Sequence, residues 1–325
     1  MPTFCRHGRF VERCPICSRA LAETTAQAAS PRARPSRRSA AQGQGERAKR
    51  SRPDGLRVVR QGRAADDGYR CELIPGIRSS EDAQRLAREI EFSAGRLLTL
   101  GAGGPGPYGA ARGQEPDSAC WTCLLIVYLS PLEGEDPFRG IELALSRGED
   151  PDLSDVPLGP RTCHDPSRGG ETLRAYRQWV ERAGGGSAAA AFTGDEMWTA
   201  QRRFERLLER LALPGLPRMG RYDLLVTLGR LGIVPVAAGS LHLAGLGGLS
   251  PEDPTTLAAK RVFGIGDPLL LERRALALAD AAAVPVEALD LALANWAAPA
   301  RATMGMGDRG VDETALEIIS GALGI

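Results

Sequence analysis

Lysine is almost missing from this chain. Lys49 and Lys260 are the only two among 41 basic residues, so the positive charge is carried by arginine. With abundant alanine and glycine, that bias points to GC-rich coding and carries little functional weight. No apolar stretch reaches the length of about 18 residues that a membrane-spanning helix needs. The start of the sequence has no charged-then-apolar leader. The seven cysteines are odd in number and scattered, which argues against a disulfide framework. The expectation is therefore a reduced, cytoplasmic setting in which clustered cysteines are metal ligands. A succession of alternating strands is lacking too. A hydrophobic fraction of 43% excludes disorder throughout, and 325 residues allow one sizeable domain or two small ones.

The net charge of +1 hides an asymmetry. Residues 1–63 hold 15 Lys/Arg against 4 Asp/Glu, a balance of +11, and the remainder carries −10. The charge that seeks an acidic partner is at the N-terminus. Within it, Cys5-x-His7-x6-Cys14-x2-Cys17 supplies three thiolates and an imidazole, the number and type of donor taken by a tetrahedral structural Zn2+. The Cys-Pro-Ile-Cys spacer lets both sulfurs face one ion, and Arg6, Arg9 and Arg13 offset the thiolate charge. The bland alternative is a set of exposed thiols in a tail. Residues 1–20 are read as a zinc knuckle. Residues 21–65, rich in Arg, Pro, Ser and Gly and poor in large apolar residues, are read as a disordered linker.

Apolar periodicity returns from residue 66 and predicts a mainly α domain over 66–300, followed by a tail at 301–325 with a short helix. Ser79-Ser80-Glu81-Asp82 reads as the cap of a helix through AQRLAREIEFSAGRLLTL. GAGGPGPYGAARG (101–113) reads as a flexible loop. ACWTCLLIVYL reads as a buried helix stopped at Ser130-Pro131. Thr193-Gly194-Asp195-Glu196 reads as a capping box for a helix with Met197, Phe204, Leu207, Leu208 and Leu211 on one face. Two helix, Gly-turn, helix units follow at 213–229 and 258–280, then helix to about Trp296. A Gly-apolar-Gly turn such as Gly264-Ile265-Gly266 lets backbone N–H groups at a helix start approach a phosphate, although many helix pairs are joined that way for packing alone.

The order FERLLERLALPGLPRMGRYDLLVTLG, SPEDPTTLAAKRVFGIG, VPVEALDLALANW resembles the helix-hairpin-helix DNA glycosylase superfamily. YLSPLEGEDPF, RYDLL, AAKRVFGIGD and ALANW resemble its α-glutamyl/putrescinyl thymine pyrophosphorylase branch, with the likeness covering about 117–297. The resemblance implies a bilobal all-α fold, a nucleotide flipped into the cleft, and hairpin contacts to DNA phosphate. For the branch it implies displacement of pyrophosphate from a hypermodified thymine by a small amine. The implied DNA contacts are Gly215, Arg218, Gly220, Arg221, Lys260, Arg261, Gly264 and Gly266. The superfamily's carboxylate is matched by Asp253, with Tyr222 and Asp223 beside the first hairpin as further catalytic candidates. Two departures matter: no lysine follows the hairpin for Schiff-base chemistry, and the four-cysteine iron-sulfur loop is absent.

Bland alternatives stand beside each candidate. Asp253 sits in Ser250-Pro251-Glu252-Asp253, itself a capping signal. An ungapped register from Gly220 puts Ser240 where the carboxylate belongs, with His242 two residues on. Arg221 and Asp223 form a local ion pair in the bland reading, and Lys260 and Arg261 merely flank Val262-Phe263. Glu133, Glu135 and Asp136 are an acidic cluster for Mg2+ or an amine, or a solvated turn. Cys120 and Cys123 have redox spacing but lie in an apolar helix, and Cys163-His164 sits in a polar loop. The leading expectation is an enzyme acting on a modified DNA base, by excision or by substitution. A non-catalytic DNA-binding module and a protein-interaction module are the alternatives.

Overall fold

The computed structural model describes residues 64–243, 253–307 and 309–325. The zinc knuckle and almost all of the Arg-rich linker lie outside the described residues. The described residues form an all-α unit, with no strand among them. No described helix is long and apolar enough to cross a membrane.

The helices in chain order are α1 (Ser80–Gly101), α2 (Pro107–Arg112), α3 (Pro116–Leu129), α4 (Arg139–Ser146), α5 (Glu171–Gly184), α6 (Ala188–Thr193), α7 (Ala200–Arg210), α8 (Arg218–Arg230), α9 (Pro254–Phe263), α10 (Pro268–Ala281), α11 (Ala288–Ala297) and α12 (Glu313–Leu323). Proline at the first turn starts α2, α3, α9 and α10, where its missing N–H costs nothing. α1 packs against α11, α12 and α8, while α3 packs against α2, α4, α6 and α8. The apolar run of α3 is buried on nearly all sides, Cys120 and Leu124 to Leu129 included, which is why it lacks an amphipathic pattern.

Several expectations from sequence are corrected. The 101–113 stretch is not a loop throughout, because α2 forms within it and buries Tyr108 and Ala111. The capping box at Thr193–Glu196 does not open a helix. Thr193 ends α6, Gly194 has φ 58, and the true cap is Thr199, whose side chain accepts from Arg202 N. Met197 therefore falls before the helix and is 88% exposed, whereas Phe204, Leu207, Leu208 and Leu211 do form the buried face. The helix carrying Arg221 to Asp223 starts at Arg218. The tail at 301–325 carries α12, which packs on α1 and α10.

Candidate functional site

A buried chain of alternating charges crosses four segments. Arg161 Nε lies 2.7 Å from Asp223 Oδ2, and Arg161 Nη2 lies 2.6 Å from Asp290 Oδ1. Asp290 Oδ2 in turn accepts from Arg218 Nη2 at 2.6 Å. Arg218 Nε lies 3.1 Å from Asp253 Oδ2, an ion pair in which the N–H is not aimed along the line of contact. Three carboxylates thus share two guanidiniums, and Asp290, 1% exposed, is the bridge. Burial alone would lower the pKa of Arg161, but Asp223 and Asp290 outweigh it and the value is raised. Arg218 behaves the same way, with Asp290 and then Asp253 opposing burial. Both cations are locked on by this geometry.

Local structure explains how Arg161 arrives there. Residues 159–164 are zipped onto the end of α3: Gly159 N donates to Leu129 O at 3.0 Å and Cys163 N to Tyr128 O at 2.9 Å. A Cβ on Gly159 would stand 2.0 Å from Pro131 O, so only glycine permits that approach. Arg161 N donates to Ser130 Oγ, and Ser130 itself adopts φ 60 at the end of α3. Asp290 stands in the first turn of α11, where a carboxylate also suits the helix dipole.

Asp253 caps α9, its Oδ2 accepting from Thr256 N and Thr256 Oγ1, each at 2.9 Å. Capping and ion pairing are both realised in one carboxylate. Tyr222 is fully buried and donates its hydroxyl to Ser240 O at 3.1 Å, with its ring edge-on to Phe204. Arg218, expected on DNA, is turned inward at 3% exposure and also donates to Leu241 O. Asp223 meets Arg161 rather than Arg221. Arg221 donates to Leu208 O, and burial followed by the repulsion of Arg218 lowers its pKa.

Tyr222 and Arg218 thereby hold the 240–243 turn from one side. Glu272 holds it from the other, accepting from Leu241 N at 2.9 Å and from Leu243 N. Burial raises the Glu272 carboxyl pKa, and those two backbone donors pull it back only in part. Within the turn His242 adopts φ 53, stacks on Phe204, and has no partner for Nε2. Burial keeps its imidazole below the usual value.

The two hairpins differ in exposure. In the first, a Cβ on Gly215 would stand 2.2 Å from Thr172 Oγ1, and one on Gly220 would stand 2.6 Å from Cys163 Sγ. Neighbouring segments cover both glycines. In the second, Gly264 and Gly266 are exposed, Gly264 has φ 62, and Lys260 and Arg261 end α9 beside them. The backbone N–H groups of Ile265, Gly266 and Asp267 make no hydrogen bond among the described residues.

Residues 162–304 match the family model of alpha-glutamyl/putrescinyl thymine pyrophosphorylase clade 3. That is the branch resembled by the sequence segments, although the match begins later than 117 and ends later than 297. The pyrophosphorylase-like stretch contains Asp223, Asp290, Arg218 and Asp253, both hairpins and the 240–243 turn. Arg161 is the residue immediately before it. Comparison with curated proteins gives no match, and comparison with solved structures gives none.

The remaining candidates are placed as follows. Burial pushes the Cys120 thiol up to about 12 and raises Cys123 as well, so both stay protonated inside α3. His164 Nδ1 lies 3.0 Å from Tyr128 Oη, and burial lowers its pKa. Glu133 accepts from Thr303 N, while Glu135 and Asp136 are exposed. Among the described residues no group of three or more His, Cys, Asp or Glu is arranged to hold a metal ion.

Arg161 and Asp290 were not singled out from sequence. Asp290 carried a signal, being the one charged residue inside ALDLALANW, since a lone carboxylate in an apolar helix must be paired. Arg161 sits in a polar, proline-rich stretch where nothing distinguishes it from its neighbours.

Proposed function

We propose that the chain is a DNA-base-directed enzyme that acts on a modified pyrimidine, either excising the base or replacing a pyrophosphate substituent with an amine. The observation that supports this reading is that α9, inside the pyrophosphorylase-like stretch, carries the end of the charge-locked carboxylate chain at its start, Asp253, and the exposed Gly-Ile-Gly hairpin, whose amides are unbonded among the described residues, at its other end. The hairpin takes the role of phosphate holder, with Lys260 and Arg261 neutralising the backbone. Asp253 ends the ionic chain and shares Arg218 with Asp290, so the chain carries one more negative charge than positive. A fixed carboxylate of this kind stabilises cationic character at the glycosidic carbon or on an attacking amine. Arg161, Arg218 and Asp290 position it, and Tyr222 positions the turn that carries Ser240 and His242.

Within the same proposal, Cys5, His7, Cys14 and Cys17 form a structural zinc knuckle. Three thiolates and one imidazole close the coordination shell, so the metal holds the fold of a short segment and leaves no position for substrate. The Arg-rich segment 31–63 adds sequence-independent affinity for nucleic acid.

A second reading, a DNA-binding module without turnover, is favoured by one observation: Asp253 Oδ2 takes three contacts, two from Thr256 and one from Arg218, which a purely structural cap would also show. The two readings separate on incubation of the full chain with DNA bearing pyrophosphorylated 5-hydroxymethyluracil and an amine. Nucleoside mass spectrometry then shows either base loss or an amine adduct for an enzyme. Bound but unaltered DNA identifies the module.

A further inference from the structure

Four arginines are buried among the described residues: Arg96, Arg161, Arg203 and Arg218. Three of them have acceptors. Arg161 and Arg218 take carboxylates, and Arg203 donates to the carbonyls of Thr193, Pro235 and Asp195. Arg96, on α1, has no carboxylate partner among the described residues at 3% exposure, and its Nε and Nη2 are shut off from solvent without a hydrogen-bond partner. One turn back, Ser93 is 1% exposed and its Oγ is unpartnered too. The spacing of three residues puts both side chains on one face of the helix.

Arginine does not release its proton inside a protein, so its burial cannot be relieved by neutralisation as that of lysine or histidine can. The charge has to be met. The acids at hand are engaged elsewhere: on the same helix Glu89 pairs with Arg301 at 2.9 Å and Glu91 with Arg309 at 3.2 Å. Asp223 is taken by Arg161 at 2.7 Å. The hydroxyl beside Arg96 is that of Tyr108, which is fully buried and donates to Met304 O at 3.2 Å. Burial pushes that hydroxyl up to about 12, although Arg96 pulls the other way, so Tyr108 stays neutral and is no counterion.

What is left open is a set of N–H and O–H donors around one fixed positive charge. A metal ion or an amine would meet a like charge there. A water molecule could take the hydrogen bonds but would leave the guanidinium uncompensated. A phosphate group is too bulky for nitrogens that solvent does not reach. We propose that Arg96 and Ser93 form an internal site for a small monovalent anion, chloride in ordinary media. The site lies on α1, outside the 162–304 stretch that matches the family model, and stands independently of the DNA-directed reading.

The test melts the full chain in sodium chloride and in sodium gluconate, an anion too large for the site, at equal sodium concentration. Chloride should raise the melting temperature of wild type along a saturable curve that gluconate does not give. At a hundred times the dissociation constant the unfolding equilibrium moves about a hundredfold toward the native state. Arg96→Met, similar in length and uncharged, should melt alike in both salts. Ser93→Ala, which leaves the guanidinium in place, should need about fivefold more chloride for half saturation, and it carries the test if Arg96→Met does not fold. Crystals of wild type grown in sodium bromide should show an anomalous peak within hydrogen-bond distance of Arg96 Nε and Nη2. Equal curves in the two salts, or a chloride response that survives in Arg96→Met or is unmoved in Ser93→Ala, overturn the site. So does a water in place of the anomalous peak, and a peak without the saturable response marks an adventitious ion only.

Discussion

Neutralising Asp290 should cost this protein more than any other single change in the ionic chain. Asp290→Asn keeps the shape of the side chain but removes the charge that lies 2.6 Å from both Arg161 Nη2 and Arg218 Nη2. Two guanidiniums, each under a tenth exposed, would then face one another with a single terminal carboxylate apiece. Breaking a buried ion pair by removing one partner costs about 3–5 kcal/mol, because the remaining charge has been taken out of water without compensation. For a domain of this size that corresponds to a fall in melting temperature of about 10 °C. Urea unfolding followed by circular dichroism should show the midpoint falling with the slope unchanged, since the surface exposed on unfolding is the same. Asp223→Asn, at the end of the chain, leaves Arg161 paired with Asp290 and should cost less. An unfolding free energy for Asp290→Asn within about 0.5 kcal/mol of wild type would refute the view that the bridge holds the two arginines.

Three other expectations follow from the same account. The purified full chain should contain one equivalent of zinc by elemental analysis, lost in Cys14→Ser. Deleting residues 1–65 should flatten the dependence of log K for DNA on log salt, because the Arg-rich segment releases condensed counterions. His164 and His242 are held below the usual imidazole value of 6.5 by burial. Between their folded values and 6.5 the unfolded chain binds more protons, so stability should fall as pH drops through that window. Melting temperatures at pH 7.5 and 5.5 test this, and the double variant His164→Gln, His242→Gln should show a smaller difference.

The helices were legible in sequence wherever one physical signal dominated. α7 declared itself by its apolar face, and α3 by an apolar run whose continuation from Ala-Cys-Trp and scarcity of β-branched residues favoured a helix over a strand. The start of α7 was misread because Thr193-Gly194-Asp195-Glu196 has capping-box residues, but Gly194, at φ 58, ends α6 instead. The glycines of 101–113 masked α2 because their conformational freedom was read as a loop, whereas only 103, 104 and 106 use positive φ and the helix begins after them. At the site, Asp253 and Asp223 were both singled out from the sequence as candidate carboxylates. Arg161 and Asp290 were not singled out, because they come from segments far apart in sequence and meet only when the 159–164 segment is brought against α8 and α11. Arg218 looked like a surface cation for the same reason: nothing local in LPRMG shows that it turns inward.

On the proposed reading the Asp253 carboxylate serves chemistry on a DNA base as well as capping α9. Asp253→Asn is the decisive variant, since asparagine still caps a helix and removes only the charge. Turnover on pyrophosphorylated hydroxymethyluracil DNA, followed by nucleoside mass spectrometry under single-turnover conditions, should fall by about a hundredfold or more. DNA affinity should stay within about threefold, and loss of the Arg218 contact should lower stability by only about 1–2 kcal/mol. Full turnover by Asp253→Asn on a substrate that wild type processes would contradict the claim, leaving Asp253 a cap and moving the search to Ser240 and His242.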